Sequence, residues 1–343
     1  MVMPQVVTLG DINVDLIAHI PRYPRKGDDG LAERLTAHSG GSAANTAIVL
    51  ARFGVPAGIV GRVGDDPLAR YALADLEAAG MDLSQLQRDP EAMTGLMFIA
   101  VTPDGERTML GYRGANPGTD PALLDEGAIA GAQMLHVSGY ALLERPQREA
   151  ALKAMEVAHR AGVAVTLDVG VEAATRMADE VRALLPRIQM IFPNAMEAER
   201  LTGQGEAEGA VEALLGYGVQ VVGLKLGPRG CVIGSEAGAF AVPAFAVQVV
   251  DTTGAGDAFD AGLILGVLSE LSLRGSALLA NALGALTTTV EGAGGALPGP
   301  QATLAFLQRR MGEPAWEEWQ EELEEVCAFL AEGHPVTQRM PNE

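Results

Sequence analysis

The chain has 343 residues, of which 48% are hydrophobic, enough for one large core or two domains and too apolar for a disordered chain. With 24 basic and 44 acidic residues its formal net charge is −20, which speaks against nucleic acid and anionic membranes as partners, because both call for basic surfaces. Cys231 and Cys327 lie too far apart in sequence to suggest a disulfide framework or a cysteine metal cluster, so a reducing, cytoplasmic compartment is expected.

Met1-Val2-Met3-Pro4 leads into a strand-like run with no basic stretch before it, so no signal peptide is expected, and no uncharged run reaches membrane-spanning length. Gln5–Gly10 reads as a buried strand. It ends in Gly10-Asp11-Ile12-Asn13-Val14-Asp15, whose polar side chains, spaced by two, point to one side of an extended chain. Such a row past a parallel strand is where α/β folds bind ligands, although a solvated loop has the same pattern. Leu16–Ile20 and Leu31–His38 are β-like around a turn at Pro21–Gly30. Gly40-Gly41-Ser42-Ala43-Ala44-Asn45 then opens a helix that stops at Phe53-Gly54. Small residues there allow close approach by a ligand or by the sheet, while Asn45 needs a hydrogen-bond partner. A strand at Ala57–Val63 and a helix from Asp66-Pro67 to near Gly80 follow. Thr94–Thr102 and Glu106–Tyr112, joined by Pro103-Asp104-Gly105, predict a β-hairpin.

From Met134 the chain alternates strands (Met134–Ser138, Val163–Asp168, Gln189–Phe192, Val219–Leu226) with helices (Arg148–Ala161, Ala174–Leu185, Ala195–Thr202, Glu206–Tyr217). This order predicts a parallel, doubly wound sheet with ligand residues at strand ends, where Asp168, Asn194 and Lys225 fall. Asn194 and Glu197 are three apart at a helix start, which by itself fits an N-cap with a capping-box glutamate.

Phe245–Val250 alternates as a strand would, Ala258–Leu271 reads as a buried helix, and Ser276–Val290 reads as a second apolar helix, which carries Asn281. Between them, Asp251-Thr252-Thr253-Gly254-Ala255-Gly256-Asp257 places two glycines at a helix start. Unpaired N–H groups and the helix dipole make such a turn an anion site. Asp257 would repel that anion unless it serves chemistry on it, for example by taking a proton from an attacking hydroxyl. A first-turn acid stabilised by the dipole is the plainer alternative.

The string Asp251–Phe259 resembles the C-terminal signature of the ribokinase-like carbohydrate kinases, the PfkB family. Gly40-Gly41 with Asn45 resembles that family's N-terminal Gly-Gly-x-x-x-Asn signature. The resemblance covers residues 5 to about 310. It implies an ATP- and Mg²⁺-dependent kinase that moves the γ-phosphate to a primary hydroxyl of a small sugar. A nucleoside kinase, a sugar-acid kinase and a non-catalytic sugar- or nucleotide-binding regulator are the alternatives. On this reading residues 1–312 form an α/β core whose β lid comes from about 12–40 and 93–114. Asp11, Asn13, Asp15, Gly41, Asn45 and Arg113 bind the acceptor beneath it. Asn194, Lys225, Gly227, Gly230 and Asn281 bind ATP, and Glu197 holds Mg²⁺ through water. Asp257 is the base, and the amides of Gly254, Ala255 and Gly256 stabilise the moving phosphoryl group. Asp251 and Thr253 would hold a monovalent cation such as K⁺, near the glycine loop Gly292–Pro298. An exposed lid also suits a homodimer. The chain departs from many sugar kinases at one place: Gly170 stands where they carry Asn, two residues after the acid matching Asp168, so their substrate is not carried over. Residues 313–343 add an acidic amphipathic helix and tail, with Trp316, Trp319, Leu323, Val326, Cys327 and Leu330 at helical spacing. It either docks on the core or meets a second subunit.

Overall fold

The computed structural model describes residues 3–104 and 106–333; Gly105 of the hairpin turn, Met1-Val2 and tail residues 334–343 lie outside it. The described strands, in chain order, are β1 (Val6–Leu9), β2 (Asn13–His19), β3 (Arg34–Gly40), β4 (Ala57–Gly64), β5 (Leu86–Asp89), β6 (Gly95–Val101), β7 (Arg107–Tyr112), β8 (Met134–Ser138), β9 (Ala164–Asp168), β10 (Met190–Phe192), β11 (Val221–Lys225), β12 (Cys231–Ser235) and β13 (Gly238–Val242). They form a large sheet in the order β13-β12-β11-β10-β9-β8-β1-β4-β5 and a separate small sheet in the order β3-β2-β6-β7. From β11 to β5 the large sheet is parallel, and β12 and β13 add an antiparallel edge. Its central strands are apolar runs buried on both faces, as parallel sheets between helix layers require.

One helix layer carries Ser42–Arg52, Pro67–Ala78, Ala255–Leu268 and Leu273–Thr287, whose buried side chains share one core with Ile59, Val63 and Phe192. The opposite layer holds Gln147–Ala161, Val171–Arg176, Ala178–Leu184, Ala195–Thr202 and Ala207–Gly216 around a second core with Leu135, Val165 and Ile191. Apart from Asp257 and Asp260 at its start, Ala255–Leu268 is apolar all round and sits in the middle of its layer, which explains why its remainder shows no polar face.

Three expected elements differ. Phe245–Val250 is irregular rather than a strand; its edge-strand role belongs to β13, and Phe245 turns inward to stack on Trp316 with ring centroids 4.0 Å apart. The helix expected over Ala174–Leu185 is broken at Met177, where φ is −140°, into two short helices. The helix expected from Ser276 starts at Leu273, capped by the Ser272 side chain, and stops at Thr287. The Trp-bearing C-terminal segment docks on its own core. Trp316 and Trp319 are buried, and the guanidinium of Arg274 lies 4.0 Å from the Trp319 ring. Removing one such buried aromatic would cost about 3–5 kcal/mol, so residues 313–332 act as part of the core.

Candidate active site

The two glycine-bearing segments meet. Asn45 Nδ2 donates to Asp257 Oδ2 at 2.7 Å across 212 positions of sequence, and Thr46 Oγ1 donates to the Asp257 carbonyl at 3.3 Å. Gly41 enters its helix at φ 104°, and a Cβ there would lie 2.1 Å from the Asp11 carbonyl oxygen. Gly254 caps the Ala255–Leu268 helix at φ 76°, where a Cβ would press on Ala293 and Leu297. Asp257 is therefore the third residue of a helix whose first N–H groups open toward the site. Burial and the nearby Asp168 charge push its carboxyl up to about 6, against the lowering effect of the Asn45 hydrogen bond.

Beside it lies a cavity of about 500 Å³, lined by Lys225, Gly227, Gly230, Phe245, Gly256 and Asn281 among others. It brings together four of the five residues expected to bind ATP. Asn281 also donates to the Val242 and Pro243 carbonyls, which ties the cavity's end to the β13 edge. Lys225 Nζ, at the end of β11, is 3.0 Å from both Asp168 and Asp260. Burial works against its charge but is outweighed by Asp168, Asp260 and Glu197, so its ammonium is held more firmly than an ordinary lysine's. Ser42 Oγ donates to the other Asp168 oxygen at 2.7 Å, and Asp168 is lowered because Lys225 and Ser42 outweigh its burial. Fully buried Asp260 is raised well above the carboxylate range by desolvation.

Asn194, the fifth expected ATP residue, caps the Ala195–Thr202 helix at the end of β10. The capping box is complete: Asn194 Oδ1 accepts from the Glu197 N–H at 2.9 Å, while the Asn194 N–H and Nδ2 donate to the two Glu197 oxygens at 2.9 and 2.7 Å. Burial, then Asp168, pushes Glu197 up to about 7.

The acceptor-side residues divide. Asp15 on β2 is buried and pushed up to about 7 by desolvation and then by the charges of Asp257 and Asp251. Asn13 Oδ1 accepts from Asn116 Nδ2 at 2.9 Å. Asp11 turns away, because both its oxygens accept from Arg113 at 2.8 Å. Arg113 also donates to Glu144, Gln147 and the Tyr140 carbonyl. Its guanidinium holds the protein's own groups instead of standing open to a substrate.

The pair expected to hold a monovalent cation is also occupied. Arg107 of β7 donates to Asp251, to Thr252 and, at 2.6 Å, to Thr253. Asp251 further accepts from the Thr253 N–H and hydroxyl and from the Gly292 N–H. A carboxylate filled by donors does not fit a bare cation.

Sequence reasoning passed over Arg107 and Asp260, and gave Ser42 and Asn116 no role of their own. Asp260 was recoverable: it lies three residues after Asp257, on the same face of a helix otherwise apolar, where a buried charge needs a partner. The pairing of Arg107 left no local signal.

The pfkB family carbohydrate kinase domain matches residues 3–299. The chain is 34% identical to the ATP-dependent ribose-1-phosphate kinase of Halopiger xanaduensis over 309 residues, which are 90% of this chain and 99% of that protein. It is 33% identical to fructokinase-1 of Zea mays, over 89% of this chain and 98% of that one. The structure of Arabidopsis thaliana ribokinase complexed with ribose and ATP matches with a TM-score of 0.78 at 27% identity, covering 89% of this chain and 99% of that chain. The chain belongs to the pfkB family of carbohydrate kinases and is a phosphotransferase of that class.

Proposed function

We propose that the chain transfers the γ-phosphoryl group of ATP, as its Mg²⁺ complex, to a primary hydroxyl of a small, uncharged sugar. The observation that carries this is Asp257: a half-buried acid at a helix N-terminus, fixed by Asn45, with the cavity on one side and the Asp15 space on the other. The Arabidopsis relative's structure with ribose and ATP supports a sugar acceptor and an ATP donor. Lys225, Gly227, Gly230 and Asn281 would hold the nucleotide in the cavity. Glu197, with Asn194, would hold Mg²⁺ through water, since a carboxylate pushed up to about 7 by burial and a neighbouring acid gains from a hard cation. The metal supplies neutralisation of the phosphate oxygens. Asp257 takes the proton of the attacking hydroxyl, and the N–H groups of Gly254, Ala255 and Gly256 stabilise the charge on the transferred group. No monovalent cation enters this reading, because Arg107 already answers Asp251.

The acid-lined acceptor space favours an uncharged sugar. Arg113, the cation that a sugar acid would need, is spent on Asp11. The outer lid face supports a homodimer: Leu16, Leu35, Phe98, Leu110 and Tyr112 share it by strand register, with Leu110 67% exposed. Two free, buried cysteines agree with a reducing compartment. ADP release from MgATP, measured over a panel of sugars and nucleosides, tests the reading. Saturable sugar binding without ADP release would instead favour a regulator on the same fold.

A further inference from the structure

The irregular stretch 244–249 forms one side of the cavity proposed to hold the nucleotide, through Ala244, Phe245, Ala246, Val247 and Val249. It makes no backbone–backbone hydrogen bond among the described residues, so its place depends on side chains. Ala244 and Ala246 also line a second cavity, of about 320 Å³, together with Arg310, Glu313 and Trp316. The stretch is thus a thin partition with space on both sides. Phe245, 4% exposed, is what fixes it. Trp316 stacks on its ring at 4.0 Å and 18°, and Phe306 meets it edge-on at 5.1 Å. Arg310 Nη2 adds a weak hydrogen bond to the Ala246 carbonyl at 3.4 Å.

The segment that carries Trp316 lies beyond residues 3–299, where the family domain matches. It also reaches a second part of the lining. Glu325 accepts from the Ser272 N–H and hydroxyl, both at 2.6 Å, at the start of the helix Leu273–Thr287, whose Asn281, Gly284 and Ala285 line the same cavity. We infer that residues 313–332 shape the nucleotide cavity from behind, with Trp316 as a positioning residue that holds Phe245 in place for the bound nucleotide. A segment that only buried apolar surface would leave nucleotide affinity alone. The inference rests on the nucleotide reading of the cavity and goes beyond it by giving the C-terminal segment a part in the site.

Trp316→Leu keeps an apolar side chain and removes the stacking ring. Binding of MgADP is measured by calorimetry on the full chain, without an acceptor and well below each variant's Tm. The Kd should rise about 3–10-fold in Trp316→Leu, the worth of one aromatic stack, and stay within about twofold of wild type in Trp316→Phe. Leu330→Ala, a buried position of the same segment, should lower Tm comparably with Kd within about twofold. An unchanged Kd in Trp316→Leu overturns this inference alone, and so does an equal rise in Leu330→Ala. Phe245→Leu should weaken MgADP at least as much as Trp316→Leu, and adding Trp316→Leu to it should change little further. A wild-type Kd in Phe245→Leu overturns the inference even where Trp316→Leu does not fold, and fully additive effects overturn it as well. No MgADP binding by wild type overturns the nucleotide reading and this inference with it.

Discussion

The nucleotide edge and the lid are built on different principles. At the edge, Asp257, Lys225, Asn194 and Glu197 project from strand ends and helix starts that are fixed by two large cores. Asp257 is held at 2.7 Å by Asn45, Lys225 at 3.0 Å by Asp168 and Asp260, and Asn194 and Glu197 bond each other at 2.7–2.9 Å, all on backbone that the cores hold in place. The small sheet proposed as a lid is four-stranded, and its register puts Asn13, Asp15, Ile17 and Ile99 on one face and Leu16, Leu35, Phe98, Leu110 and Tyr112 on the other. Side chains hold its two edges down: Arg107 on Asp251, Thr252 and Thr253, and Arg34 with His19 on Glu291. The groups proposed to do chemistry sit where geometry is over-determined, whereas the proposed cover rests on a few side-chain contacts.

If chemistry belongs to the rigid edge, its largest loss must come from Asp257. Asp257→Asn keeps the shape and the Asn45 neighbour but cannot accept a proton. It should lower kcat by roughly 10²–10⁴ with KM for ATP little changed. A near wild-type kcat would remove Asp257 from the reaction.

The same group sets a pH limb. Asp257 must be ionised to act, and it sits at about 6. Activity should therefore rise with pH through that region and fall about tenfold per unit below it. Asn45 donates to the ionised form, so Asn45→Ala should move the limb to higher pH. A limb that stays in place in Asn45→Ala would mean another group titrates.

The contrast also explains what the sequence makes legible. The parallel sheet and the site edge follow from long apolar runs that alternate with helices, and each chemical group lies a residue or two beyond such a run. Phe245–Val250 misled because its alternation serves a cavity wall and a stacking contact with Trp316, and β13 before it already pairs the edge. The Asp11–Arg113 and Arg107–Asp251 pairs join residues 102 and 144 positions apart. Nothing local marks such a pairing, so an aspartate expected to meet sugar proves to be spoken for. Two family signatures could be joined across a similar span only because each is specific by itself.

A smaller effect should separate two roles at one residue. Glu197→Gln preserves the capping box, since glutamine serves at that position as well. It removes the charge, so the Mg²⁺ concentration for half-maximal rate should rise roughly 10-fold. Glu197 titrates from 4.5 when unfolded to about 7 when folded, so the native chain holds more protons between those values. This group's contribution to stability is lost as pH rises through that window, and the glutamine variant should lose that slope. Tm-versus-pH curves of the two proteins check it; an unmoved Mg²⁺ titration would leave Glu197 a cap only.

The lid should yield the smallest effects, and unequal ones at its two edges. Arg107 is 22% exposed and its partner Asp251 7%, while Arg34 is 55% exposed and Glu291 21%. An exposed pair contributes about 0–1 kcal/mol, whereas a hydrogen bond to a charged, mostly buried group is worth about 1.5–3 kcal/mol. Each 1.4 kcal/mol shifts an opening equilibrium tenfold. Arg107→Met should thus speed amide hydrogen exchange in β6 and β7 about tenfold or more, and Arg34→Met should change β3 by a few-fold at most. If Arg107 acts through Asp251, adding Asp251→Asn to Arg107→Met should change exchange far less than Asp251→Asn does in the wild type. Equal responses at the two edges, or fully additive substitutions, would show that the lid is held by its backbone junctions at Gly40-Gly41 and Gly114 and not by these side chains.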